Sequence, residues 1–293
     1  MKNTYLYVKR HKSLHMKKLL FIALLSVNIQ LSAQSIPIDI LPSGHIIAKA
    51  KIDGKEGNFI FDTGGGINLF FESFVKDLDQ KPTYNFITAY RATGEKIDAP
   101  VFENKEITFA GMKFSNIPYS TFDMELDGID GIISLQMFSE TDFIIDFKNK
   151  EITLADLSKD TKSKSFDIQL YTHGDKATDI STYIILDNKY KIQVILDSGA
   201  GSNSFWISDK FISVLGINKN ELEISEKKSE FDENIITKFY SGSINSICNQ
   251  YVTLDKPKVT FVEGLIYEGK TSINWLGDKI GISLKNKKMY ILE

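Results

Sequence analysis

The stretch NFIFDTGGG, residues 58–66, runs from an apolar segment directly into Asp62-Thr63-Gly64. A second stretch, QVILDSGAG at residues 193–201, has the same design and ends in Asp197-Ser198-Gly199. Short apolar runs rich in branched and aromatic residues favour strands, and glycine allows a tight turn and a close approach by neighbouring backbone. Each stretch therefore predicts a strand that ends in a loop carrying one aspartate.

Two further pairs of segments indicate an internal duplication. Residues 85–90 (NFITAY) match residues 234–239 (NIITKF), and residues 147–154 match residues 284–291. Because all three pairs occur in the same order, they predict two related units of about 125 residues each.

The rest of the chain indicates an all-β fold, mainly β with a few short helices. We place a first lobe at residues 34–160 and a second at residues 161–293, with the polar stretch 156–165 as a linker. Short helices are predicted at Phe70–Leu78 and Phe205–Leu215. The clearest strands, besides those that lead into the two aspartates, are Phe86–Tyr90, Glu106–Phe109, Phe143–Phe147 and Glu151–Leu154.

The two aspartate loops predict acid–base chemistry if they meet at a pseudo-twofold axis. At about 3 Å, Asp62 and Asp197 cannot both be ionised, so they share one proton. The ionised member can activate a water while the protonated member polarises a carbonyl. Thr63 and Ser198 are predicted to brace the pair by hydrogen bonds, with Gly64 and Gly199 permitting close packing. This chemistry requires neither a metal nor a cofactor.

At these loops the sequence resembles the active-site loops of aspartic peptidases, and the bacterial retropepsin-like group in particular. DGIDGIIS at residues 127–134 resembles that group's second signature, and FIIDFKNKEITL at residues 143–154 resembles its closing hairpin. The resemblance implies closed-barrel-like lobes, an inter-lobe cleft that binds a polypeptide, and peptide-bond hydrolysis. In the second half, Gly264-Leu265-Ile266 is the predicted counterpart of Gly131-Ile132-Ile133, although the polar stretch 268–272 follows at once.

A predicted hairpin at residues 86–96, with its turn at residues 92–95, lies where such peptidases carry a flap over the cleft. Tyr90 and Gly94 are predicted to bind substrate there. Packing across the hairpin is the alternative role for Tyr90, and its apolar counterpart Phe239 favours that role.

Residues 1–33 resemble a secretory signal peptide. They contain six basic and no acidic residues, then a short apolar run and a small residue before Gln34. Their removal leaves 29 basic and 38 acidic residues, a net charge of −9. We therefore expect an exported protein, periplasmic or secreted, that binds no nucleic acid and has no stable membrane insertion after leader removal. An uncleaved anchor is the alternative. Because one chain carries both aspartates, we expect a monomer.

Other motifs in the sequence match their classes only in part. Residues 199–204 imitate a dinucleotide-binding loop but lack its third glycine, and residues 123–128 open like a calcium loop without its final glutamate. Cys248 is the only cysteine, and His45 and His173 are the only histidines after the leader. The predicted function is an exported aspartic endopeptidase. The alternatives are a non-catalytic peptide- or ligand-binding protein on the same fold, or an adhesion module.

Overall fold

The computed structural model describes residues 34–229 and 234–293, and these residues form two β-sheets with two one-turn α-helices. The leader predicted at residues 1–33 lies outside the described residues. No described helix is both long and apolar enough to span a bilayer.

The first sheet contains fifteen described strands. In chain order these are β1 (Gln34–Ile40), β2 (Ile46–Ile52), β3 (Lys55–Asp62), β4 (Asn68–Phe71), β5 (Lys81–Tyr90), β6 (Lys96–Glu103), β7 (Glu106–Phe109), β8 (Met112–Ser115), β9 (Pro118–Phe122), β10 (Gly131–Ser134), β11 (Asp142–Asp146), β12 (Glu151–Ala155), β13 (Lys164–Asp167), β24 (Lys279–Ser283) and β25 (Lys288–Ile291).

The second sheet contains ten described strands. They are β14 (Gln169–His173), β15 (Ala177–Leu186), β16 (Tyr190–Leu196), β17 (Phe205–Ser208), β18 (Glu223–Lys228), β19 (Ile236–Ser243), β20 (Ser246–Cys248), β21 (Thr253–Asp255), β22 (Lys258–Val262) and β23 (Gly269–Thr271).

The two sheets share one strand arrangement around the aspartate loops. In the first, β10 lies parallel to β3 and antiparallel to β4. Beyond β4, the sheet continues in the order β9, β6 and β5. In the second, β23 lies parallel to β16 and antiparallel to β17, followed by β22, β19 and β18. The predicted all-β fold is confirmed. Both strand orders are open paths, so the lobes are not the closed barrels that the resemblance implied.

The C-terminal strands join the two halves of the molecule. β24 pairs with β11, so that Phe143 lies opposite Ile282 and Ile145 opposite Ile280. All four side chains are fully buried, and their burial stabilises the junction. The registers of β11 with β12 and of β24 with β25 differ by 137 positions on both strands, as the match of residues 147–154 to 284–291 predicts.

The match of residues 85–90 to residues 234–239 is wrong. Residues 85–90 lie in β5, the outer strand of its hairpin, whereas β19 occupies the inner position that β6 has in the first sheet. The counterpart of β5 is therefore β18, and Phe239 is not the equivalent of Tyr90. Similar local composition on two hairpin strands produced the false match.

The two predicted helices begin as strands. Phe70 and Phe71 are buried in β4, and the helix that follows, α1, spans only Glu72–Val75. Likewise β17 precedes α2, which spans Phe211–Val214. Pairing with β10 and β23 decides the conformation of these short apolar segments.

Part of the stretch predicted as a linker, residues 156–165, packs against the folded core. Leu157 is buried, its side chain lies against Gly281, and its backbone N–H donates to Asp142 Oδ2 at 2.9 Å. The lobe boundaries at residues 160 and 161 stay a prediction.

Candidate active site

Asp62 and Asp197 occupy equivalent positions at the ends of β3 and β16. Each carboxyl group lies against the glycine of the opposite loop, and the two carboxyls are close enough to interact electrostatically. The backbone N–H of Gly64 donates to Asp62 Oδ1 at 2.8 Å. The structure therefore brings together the two side chains that the sequence predicts as a pair, although their catalytic role stays a prediction.

Thr63 and Ser198 brace the two loops through reciprocal hydrogen bonds. The N–H of Thr63 donates to Ser198 Oγ at 3.0 Å, and the N–H of Ser198 donates to Thr63 Oγ1 at 2.9 Å. The two hydroxyls then donate to the carbonyls of Leu196 and Phe61, both at 2.7 Å. Both side chains are buried, so each hydroxyl satisfies polar backbone groups that water does not reach.

Gly64 and Gly199 allow the carboxyl groups to approach. A Cβ at Gly199 would lie 2.5 Å from the carboxyl carbon of Asp62, and one at Gly64 would lie 2.8 Å from that of Asp197. Real Cβ atoms do not approach so closely, so a side chain at either glycine would push the two aspartates apart.

The pKa of Asp62 is raised well above its ordinary value of 3.8. Burial is the largest cause, although Asp62 keeps some surface on the cleft, and the nearby Asp197 adds to the rise. The Gly64 N–H and Lys270 oppose the rise but are weaker. Asp62 is thus the member of the pair whose surroundings favour the protonated form.

Lys270 is a site residue that the sequence analysis missed. Its Nζ donates to Asp197 Oδ2 at 2.7 Å, and the two side chains are 17% and 7% exposed. Lys270 lies in β23, where Gly269 pairs with Val194 much as Gly131 pairs with Phe59.

The prediction that Gly264-Leu265-Ile266 is the counterpart of Gly131-Ile132-Ile133 is therefore wrong. Gly269-Lys270-Thr271 occupies the equivalent position in the second sheet. The signal was present as a Gly-x-x-Ser pattern at residues 131–134 and again at residues 269–272. Its polar composition does not resemble that of a buried strand.

Asp179 is a third acidic residue near the pair. Burial and the charge of Asp197 raise the pKa of Asp179 to about 7, although the Gly66 N–H lowers it. Tyr267 lies close by, and burial, followed by Asp179 and Asp197, raises the pKa of its hydroxyl. Asp179 lies on β15, which pairs with β16, the strand that leads to Asp197, whereas Tyr267 lies far from both aspartate loops in the sequence.

A cleft of about 550 Å³ opens above the pair. Its walls combine apolar and cationic side chains from both lobes, including Leu69, Phe122, Ile132, Trp206, Phe239, Lys227 and Lys228.

The turn between β5 and β6 reaches the second lobe. Ile266 N–H donates to the carbonyl of Ala92 at 3.0 Å, and Arg91 Nη1 donates to Ser229 Oγ at 3.0 Å. Tyr90 is 56% exposed and lines the cleft, whereas a Cβ at Gly94 would face Ile266. Their roles in substrate binding stay predictions.

The competing motifs do not form sites. Residues 199–204 lead into β17 and not into a helix, and Gly201 lies against the backbone of Ser43. Cys248 is half-buried in β20. Within residues 34–229 and 234–293, no group of three or more His, Cys, Asp or Glu side chains is arranged to hold a metal ion.

Comparisons with known proteins agree with this architecture. Residues 48–137, which include Asp62 and β10, match the family model described as "Aspartyl protease". The crystal structure of an aspartic proteinase from Irpex lacteus is similar with a TM-score of 0.53 and 13% identity, over 88% of this chain and 96% of that one. No curated protein matches the sequence.

The family match is confined to residues 48–137, and the structural similarity shows an aspartic proteinase fold across both halves. The resemblance to aspartic peptidases is thereby confirmed, and together the family match and the fold support a peptidase function.

The first prediction concerns the reciprocal hydrogen bonds. Thr63→Val keeps the side-chain shape but leaves the Ser198 N–H and the Leu196 carbonyl unpaired. We expect the free energy of unfolding, measured in urea, to fall by about 2–4 kcal/mol. Thr63→Ser should restore most of it. As a control, Thr108→Val removes a hydroxyl that bonds only to Glu106. A loss at Thr63 no larger than at Thr108 would contradict the bracing role.

The second prediction concerns Asp179. Because its pKa is raised from 3.8 to about 7, the folded state holds the proton more tightly than the unfolded state. The protein therefore loses stability as the pH rises from about 4 to 7. Asp179→Asn removes this loss, so its stability relative to the native protein should rise by about 3 kcal/mol between pH 4 and pH 8.

Urea unfolding at the two pH values measures this change. Asp255→Asn, on the exposed edge of β21, is the control for the substitution itself. A difference between Asp179→Asn and the native protein that is equal at both pH values would contradict a buried carboxyl.

Proposed function

We propose that this protein is an aspartic endopeptidase that hydrolyses peptide bonds with water activated by Asp62 and Asp197. The observation that carries the proposal is that each carboxyl group lies against the glycine of the opposite loop at the base of the cleft, which brings the two carboxyls close together. Two carboxyls so close together hold one proton between them. They thus provide a base for the water and an acid for the substrate carbonyl at the same time.

The surroundings of the pair support this proposal. The loops are fixed by buried hydrogen bonds, so the carboxyls need little rearrangement when substrate binds. The cleft is open to an extended chain and has apolar walls on both sides, including Ile132 and Trp206. The hairpin turn that contacts Ile266 covers the cleft and would exclude water once a peptide is bound.

The third prediction tests the pair. The purified protein should cleave members of a peptide library, and Asp62→Asn and Asp197→Asn should each lower kcat/KM by about 10²- to 10⁴-fold. Each variant should retain the native circular dichroism spectrum. Asp79→Asn, in a surface ion pair with Lys105, is the matched control and should keep full activity.

Two results would contradict the proposal. Cleavage that survives both substitutions would place the chemistry elsewhere. Absence of cleavage by the native protein, together with saturable peptide binding, would indicate the non-catalytic binding protein that the sequence left as the alternative.

We also propose that the protein is exported and loses residues 1–33, on the basis of their basic and apolar pattern. The fourth prediction is that the mature protein from its native host begins near Gln34, which N-terminal sequencing measures. A mature chain that keeps residues 17–33 would indicate the uncleaved anchor.

A further inference from the structure

The two aspartates have different neighbours at equivalent positions. Beside Asp62, the central residue of β10 is the apolar Ile132, which lies opposite Ile60 in β3. Beside Asp197, the same position in β23 is Lys270, opposite Ile195 in β16. One carboxyl of the pair thus has an aliphatic neighbour and the other has an ammonium group.

The difference extends to the next strand. Ile132 pairs with Leu69 in β4, whereas Lys270 pairs with Trp206 in β17. The Nζ of Lys270 lies 4.6 Å from the centroid of the Trp206 ring, within the range of a cation–π interaction. Trp206 thus holds the ammonium group from one side while Asp197 Oδ2 accepts its hydrogen bond from the other.

Stability does not explain the ion pair. Two charges in a buried site lose most of their hydration, and apolar residues of similar volume are often equally or more stable there. The first lobe shows that an apolar pair fits this position. The role of Lys270 therefore lies in the chemistry of the carboxyls.

Among the described residues, the charged and titratable groups that interact with Asp197 include Asp62, Asp179, Tyr267 and Lys270. Asp62 approaches from β3, Asp179 from β15 and Tyr267 from the segment after β22. Both acids repel a negative charge on Asp197, and the ammonium group of Lys270 opposes that repulsion at hydrogen-bonding distance.

We infer that Lys270 is a positioning residue that keeps Asp197 as the ionised member of the pair and leaves Asp62 to carry the proton. The inference rests on the proposed function and assigns the two roles within it. Asp197 accepts a proton from the water as its oxygen bonds to the carbonyl carbon, and Asp62 gives its proton to the carbonyl oxygen. As the C–N bond breaks, Asp197 returns a proton to the nitrogen and Asp62 regains one from a hydroxyl of the intermediate.

The fifth prediction tests this assignment through the pH dependence of kcat/KM. Lys270→Met keeps the length of the side chain and removes its charge, so Asp197 must ionise without a counter-charge. We expect the acid limb of the profile to move up by about 1 pH unit or more. Lys270→Arg restores the charge and should return the limb toward its native position.

Lys191→Met is the matched control. Lys191 lies on β16, the strand that leads to Asp197, and its Nζ lies 4.2 Å from the ring centroid of Tyr183, outside the cleft. The same charge is lost beside an aromatic ring, on the strand that leads to Asp197 but outside the cleft, so this profile should match the native one. A Lys270→Met profile that also matches it would overturn the inference. Higher kcat at every pH with unmoved limbs would overturn it too, because Lys270 would then obstruct the pair.

A second measurement separates this inference from the proposed function. Carbon-13 NMR of the aspartate carboxyl groups follows their titration whether or not the protein cleaves peptides. A rise in the titration midpoints of the pair in Lys270→Met, and its reversal in Lys270→Arg, supports the inference even if no cleavage occurs. Unchanged midpoints in a folded Lys270→Met protein overturn it even if the native protein is an active peptidase.

Discussion

The reciprocal hydrogen bonds between Thr63 and Ser198 are the interaction on which the rest of the site depends. Each hydroxyl accepts a hydrogen bond from a backbone N–H of the opposite loop and donates one to a carbonyl of the strand that leads into that loop. Two side chains thus satisfy four backbone groups, two from each half of the chain. The bonded residues are 135 positions apart, so both halves must fold before the contact forms. Once it forms, β3 and β16 end face to face, and each carboxyl group is held against the glycine of the opposite loop.

On this symmetric framework the electrostatics are unequal. Asp62 lies beside Ile132 and has a strongly raised pKa, mainly through burial, whereas Asp197 forms an ion pair with Lys270. Hydrolysis of a peptide bond by water requires a base and an acid at the same time. Two carboxyl groups in identical surroundings would not determine which of them acts as the base and which as the acid. Environments that separate two titratable groups assign those roles in advance. The strand arrangement that the two sheets share thus brings the carboxyls together, and Lys270, at the position that Ile132 has in the first sheet, makes their surroundings unequal.

The sequence predicted the parts of the site that depend on local pattern. An apolar strand followed by Asp-Thr-Gly or Asp-Ser-Gly can be recognised in the sequence because the strand, the turn and the acidic residue are contiguous. Residues 147–154 and 284–291 can be matched because the similarity extends over a whole hairpin. The remainder depends on pairing between distant segments. Phe70 and Phe71 are compatible with helix or strand until β10 and β9 pair with β4, and Gly269-Lys270-Thr271 is a buried strand only because β16 and β17 flank it. Asp179 reaches the pair from β15, and its position beside Asp197 depends on the register of the β15–β16 hairpin, which the sequence analysis did not assign.

We expect Asp62 and Asp197 to hold a single proton between them. A neutron crystal structure of the deuterium-exchanged protein near neutral pH tests it most directly, because it locates the exchangeable hydrogens. We expect one deuteron within the pair, bonded to Asp62, and three on the Lys270 ammonium group, with the carboxyls in hydrogen-bonding contact. A pair that carries no deuteron or two, or carboxyl groups more than about 6 Å apart with no hydrogen bond between them, would contradict it.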